Sequence, residues 1–170
     1  METLLRKDYF NDLLQNRATI IQPGQGDRVT AGAGSCTFKI TSDISNDQLG
    51  IYEILVPPNT SGARLHYHRF MDETFIVNKG VLTVQASYEE QQLPAGGVIY
   101  IPRFTPHAFS NTSSEEVVLT LVFTPSQQRE GFFYGLFELL NEPVMDTKRF
   151  LQLYHKYDSY LVDPATMQPL

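Results

Sequence analysis

Short runs rich in Val, Ile, Thr, Phe and Tyr alternate with Gly, Pro, Asn and Ser turns from about residue 18 to 124. That pattern predicts strands near 28–31, 35–41, 50–57, 63–68, 73–79, 81–87, 98–101, 107–110 and 116–124, with turns at PPNTSG (57–62), NKG (78–80) and LPAGG (93–97). Many short strands with no helix between them predict an antiparallel sandwich or barrel. The period changes at both ends of this region. In TLLRKDYFNDLLQ (3–15), Leu5, Phe10, Leu13 and Leu14 fall on one face of a short N-terminal helix. After Pro125, Phe132, Phe133, Leu136, Phe137 and Leu140 recur at helical spacing, and Pro143 stops that helix. A second C-terminal helix is expected to start at Asp146 as N-cap and to run through RFLQLYHKYDSYL, before Pro164. Both helices have wide apolar faces, which must be buried on the barrel wall or on a partner.

Composition narrows the class. A chain of 170 residues, 42% apolar and 19% charged, is an ordinary globular length and balance for one domain, with a barrel core at about 18–125 and a helical extension at about 129–162. The net charge is −6 with no cluster of Lys and Arg, which argues against nucleic acid as a partner. The longest strongly apolar run, near VVLTLVF (117–123), is far too short for a helix to span a bilayer. The N-terminus lacks the apolar core of a signal peptide, so a cytoplasmic protein is expected. The lone cysteine, Cys36, alternates with Phe38 and Ile40, which predicts a small buried residue. GQG (24–26) and AGAG (31–34) are not followed by a strand–loop–helix unit and are predicted to be turns.

Candidate chemistry concentrates in HYHRFMDETF (66–75), which holds two of the four histidines. At i and i+2 on a strand, His66 and His68 point to one face roughly 7 Å apart, close enough to converge on an ion. Glu73 has the opposite parity, so residues 69–72 must form a connection that folds it back beside the histidines. His107, after the Pro-bounded loop IPRFTPH, can complete the set. Met71 reads as core, and His155, without ligand spacing, as surface.

Together with the surrounding glycines and prolines, these residues resemble the cupin superfamily. HYHRFMDETFIVNKG matches its first motif at His66, His68, Glu73 and Gly80. GGVIYIPRFTPHAFSN matches its second at Gly96, Pro102, His107 and Asn111. Two positions depart from the pattern. Gly62 lies four residues before His66 rather than six, and Phe104 replaces the Gly of P-x-G. The resemblance, which covers about residues 30 to 125 and is similar to small quercetinase-like cupins, implies a double-stranded β-helix, or jelly-roll barrel. It implies His66, His68, Glu73 and His107 as ligands of one divalent transition metal ion, with Fe, Mn, Ni, Cu and Zn all suited to the donor set. The activity expected first is a mononuclear metal-dependent oxidoreductase, dioxygenase-like, on a small, oxygen-chelating substrate. Glu73 would serve as both ligand and catalytic base. Non-catalytic metal or small-ligand binding, and a non-redox isomerase or lyase, are the alternatives. Phe75, Val77 and Phe109, by parity with the ligands, and Phe104, between two prolines, are expected around the substrate pocket. A homodimer is expected from the need to cover sheet edges.

Overall fold

The computed structural model describes Leu14 and residues 17–170. The N-terminal helix expected over 3–15 therefore lies, apart from Leu14, outside the described residues. Among the described residues, twelve strands and three helices follow one another. They are β1 (Arg28–Ala31), β2 (Gly34–Ile40), α1 (Ser42–Ser45), β3 (Gly50–Val56), β4 (Thr60–Ser61), β5 (His66–Tyr67), β6 (Asp72–Lys79), β7 (Val81–Ala86), β8 (Glu89–Pro94), β9 (Val98–Ile101), β10 (His107–Asn111), β11 (Val117–Thr124), α2 (Arg129–Leu140), α3 (Thr147–Lys156) and β12 (Tyr160–Leu161).

The strands form two antiparallel sheets. One runs β1-β2-β3-β11-β6-β9; the other runs β12-β5-β10-β7-β8, with β4 also on β10. Neighbours such as β3 and β11, or β5 and β10, are distant in sequence, as in a jelly roll. Strict two-residue alternation sets the inner faces. In β11, Val117, Leu119, Leu121 and Phe123 are all buried, and β3 and β6 alternate in the same way. Cys36 and Met71 are wholly inside this core, and His155 is exposed, as the sequence predicts. Among the described residues no helix is long and apolar enough to cross a membrane.

Local chemistry explains the boundaries. The β6–β7 turn needs Gly80, whose φ is +79° and where a Cβ would come within 2.7 Å of the Glu116 carbonyl oxygen. Asn111 closes the β10–β11 turn: its Nδ2 donates to the carbonyls of Val56, Pro57 and Glu115 at 2.8–3.1 Å, and its Oδ1 accepts from Ser113. The Asp146 carboxylate caps α3 by accepting from the amides of Lys148 and Arg149. On α2, Phe132, Phe133, Phe137 and Leu139 are buried, each such side chain contributing about 1.5–3 kcal/mol on full burial.

Three expectations need correction. The strand expected over 63–68 has ladder pairing only at His66–Tyr67; residues 62–63 still follow β10 through bonds between Gly62 N and Phe109 O and between Phe109 N and Ala63 O. β8 escapes the sequence pattern because EEQQLP has little apolar alternation, as suits an edge strand paired only to β7. The last helix stops at Lys156, because Asp158 turns left-handed with φ +58° and releases Tyr160–Leu161 to pair with β5.

Candidate metal centre

β5, β6 and β10 bring the four candidate ligands together. His66 pairs directly with His107 across β5 and β10, and the 69–71 connection returns the chain so that Glu73 enters from β6. One donor atom from each of His66, His68, Glu73 and His107 lies within 4.8 Å of all the others. All four residues are buried, none more than 3% exposed.

The orientation of each imidazole is fixed from behind. Nδ1 of His66 donates to the Arg64 carbonyl at 2.7 Å, that of His68 to the Asp158 carbonyl at 2.6 Å, and that of His107 to the Thr105 carbonyl at 2.9 Å. A neutral ring with its proton on Nδ1 presents a bare lone pair at Nε2. Burial first, then repulsion from His107 and His68, holds the His66 imidazole well below its usual pKa. Burial also lowers His68, against the opposing pull of Glu73. Burial pushes the Glu73 carboxyl up, but the His107 and His68 rings at hydrogen-bond distance outweigh it and hold Glu73 well below the usual carboxylate range.

These facts test the donor set. Glu73 Oε2 lies 2.9 Å from His107 Nε2 and 3.1 Å from His68 Nε2. With Nδ1 already donating, either contact becomes a hydrogen bond only if the ring takes a second proton, which burial opposes at His68. A divalent cation satisfies the same lone pairs without making an imidazolium. Three neutral nitrogens and one carboxylate, each nitrogen backed by a carbonyl, fit a transition metal ion.

The centre opens on a cavity of about 490 Å³ whose lining includes His66, Glu73, Phe109, Phe123, Phe132 and Tyr154. Of the expected pocket residues, Phe109 lines it. Phe75 is wholly buried behind, edge-on to Phe109 at 5.4 Å and to His107 at 6.1 Å. Val77, 1% exposed, belongs to the core between the sheets. Phe104 is 62% exposed and stacks on Tyr67 outside the cavity. Its backbone nonetheless serves the site: at φ +65° it keeps the turn that glycine makes in the family motif, and its amide donates to the His68 carbonyl at 2.7 Å.

Sequence reasoning missed the contribution of the C-terminal segment. Beside its carbonyl on His68, Asp158 accepts with its carboxylate from the amides of Arg69 (3.0 and 3.1 Å) and Phe70 (2.8 Å). It thereby holds the connection between His68 and Glu73. The phenylalanines of α2 had a helical signal, but no sequence signal aimed them at the cavity; Asp158 and Arg129 had none.

Comparison with known proteins agrees with this geometry. Residues 52–123 match the sequence model of the cupin domain family. The chain is 26% identical over 126 residues to quercetin 2,3-dioxygenase of Bacillus subtilis, covering 73% of this chain and 35% of that protein. It is 36% identical over 81 residues to an uncharacterised protein of Aquifex aeolicus, covering 48% of this chain and 65% of that one. The chain thus spans about a third and just under two thirds of these relatives. Among solved structures, a predicted oxalate decarboxylase of Thermotoga maritima superposes with a TM-score of 0.56 at 15% identity, over 63% of this chain and 99% of that one. A cupin-superfamily sugar phosphate isomerase of Silicibacter pomeroyi gives 0.54 at 18% identity, over 62% and 75%. At such identities these two likenesses speak for the fold alone. The barrel, both motifs and the matched segment 52–123 agree in their likeness to the cupin domain family.

Proposed function

We propose that this protein is a mononuclear metal-dependent oxidoreductase, dioxygenase-like, acting on a small apolar or aromatic substrate that presents oxygen donors. One observation carries this reading: the ligand group and the aromatic cavity are continuous, with His66 and Glu73 in the lining. A volume of about 490 Å³ falls in the range of small-molecule sites. The 26% identity to a quercetin 2,3-dioxygenase supports the reaction class.

His66, His68, Glu73 and His107 would hold one divalent ion. When bound, such an ion polarises a chelated oxygen and allows O₂ chemistry beside it. The chain's own residues do the rest. The Arg64, Asp158 and Thr105 carbonyls keep the imidazoles in register. Phe109, Phe123 and Phe132 exclude water and hold the substrate's apolar body. The Glu73 carboxylate, whose pKa is held low, would accept the proton of a substrate hydroxyl.

The test is elemental mass spectrometry on protein purified without an affinity metal, beside a His66→Ala/His107→Ala variant, followed by O₂ uptake with flavonol and catechol probes. About one Fe, Mn, Ni or Cu per chain, lost in the variant, with O₂ consumed, is expected. Stoichiometric Zn without O₂ uptake would move the reading to a Lewis-acid isomerase or lyase, or to a binding protein. A chain that neither carries nor takes up metal overturns the centre itself.

A further inference from the structure

The cavity holds a polar feature that the ligand group does not use. Arg129, the first residue of α2, is 3% exposed and lines the cavity. Its Nη1 donates to the Tyr157 carbonyl at 2.8 Å and to Ser159 Oγ at 2.9 Å. Its Nε is buried without a hydrogen-bond partner, and no salt bridge among the described residues includes it. The guanidinium carbon lies 3.8 Å from the centroid of Phe132 and 4.8 Å from that of Phe123. Phe123 in turn packs edge-on against His68 at 5.9 Å, so a single ring separates the guanidinium from the ligands.

A clamp between α2 and the C-terminal segment accounts for Nη1. It does not account for a full charge kept in an apolar wall with no carboxylate in salt-bridge contact, which is costly. The balance of charge along the lining is also opposite to that of the chain. The protein carries −6 overall. Yet its cavity is lined by two arginines, Arg129 in the wall and the exposed Arg64, and by one acid, Glu73, which belongs to the candidate ligand group. Low-dielectric walls focus such a field into the cavity.

We infer that the cavity selects an organic anion: a carboxylate on an apolar body, with the charged group towards Arg129 and the body against the phenylalanines. This deepens the proposed function by naming the substrate class for the same cavity. Arg129 lies outside residues 52–123 matched by the cupin family, so the selectivity belongs to the helical extension.

The probes are 3-phenylpropanoate, its uncharged amide and 3-phenylpropylamine, titrated calorimetrically into the full chain, first chelator-treated and then Zn-loaded. The metal-free wild type is expected to bind the carboxylate at least tenfold tighter than the amide and to reject the amine. Arg129→Gln, with folding checked by urea titration, is expected to abolish that preference. Equal binding of carboxylate and amide, no binding of either, or a preference that survives Arg129→Gln overturns the inference. The wild-type series alone keeps it falsifiable if the variant does not fold. A preference seen only with Zn and unchanged by Arg129→Gln places the anion on the metal, which sinks this inference and leaves the metal centre standing. A metal-free preference in a chain that never takes up metal sinks the proposed enzyme and leaves the anion site.

Discussion

Asp158→Ala is the sharpest perturbation of the site that touches no ligand. The carboxylate of Asp158, 6% exposed, accepts from the amides of Arg69 and Phe70. A hydrogen bond to a charged acceptor contributes about 1.5–3 kcal/mol, and the exposure of residues 69 and 70 lets water replace part of it, which favours the low end. Two such bonds give about 2–3 kcal/mol. Alanine also tolerates the +58° φ at this position less well than aspartate, adding up to about 1 kcal/mol. The expected loss is therefore about 3 kcal/mol, or roughly 6–12 °C in Tm for a chain of this size. Asp158→Asn keeps one acceptor and a residue suited to that φ, and should lose only about 1 kcal/mol. Urea unfolding of metal-free protein reads these differences. Metal affinity reads the second consequence: once the 69–71 connection loosens, the carbonyl on His68 shifts, and disturbed partners of this kind cost roughly 10–100-fold. A stability change within about 0.5 kcal/mol for Asp158→Ala would refute the energetic reasoning. The expected stability loss with unchanged zinc affinity would refute the coupling to His68.

Two further substitutions probe the turn and the core. At Phe104, with φ +65°, glycine should be within about 1 kcal/mol of wild type, since relief of the left-handed backbone offsets lost stacking on Tyr67; valine should cost about 2 kcal/mol more than glycine, and equal melting curves would contradict this. At Cys36, burial pushes the thiol pKa up, opposed by the charge of Arg129, so the unfolded chain ionises near pH 8.5 while the folded one keeps its proton. The folded state then binds more protons, its stability falls as pH rises, and wild type should lose about 1.2 kcal/mol relative to Cys36→Ala between pH 9 and 10; parallel urea profiles would count against it.

How much of this was legible follows from where each signal resides. His66, His68, Glu73 and His107 were readable because a strand period, a four-residue connection and a second motif each constrain position locally. The core strands were readable for the same reason, since β3, β6 and β11 bury one face each and alternate strictly. β8 was not, because an edge strand with both faces wet has no apolar period to show. Parity correctly turned Phe75 and Val77 inward, but inward is not the same as lining the cavity: Phe109 stands in front of Phe75, and only tertiary packing decides which ring is in front.

The C-terminal segment shows the deeper limit. DSYL reads as the end of a helix because Tyr157, Tyr160 and Leu161 continue the apolar face of α3, and aspartate at φ +58° carries no mark of that conformation in a single sequence. Yet the break at Asp158 sets three features at once. It frees Tyr160 and Leu161 to pair with the strand that carries His66, it delivers a carbonyl to His68, and it leaves the Tyr157 carbonyl and Ser159 hydroxyl facing Arg129. The cupin motifs supply the donors, while Asp158, which orients one donor, and Arg129, the buried charge of the adjoining cavity, come from beyond residue 123. Under the proposed function, selectivity of the cavity is therefore expected to follow changes in α2 and the 157–159 turn more closely than changes in the barrel strands.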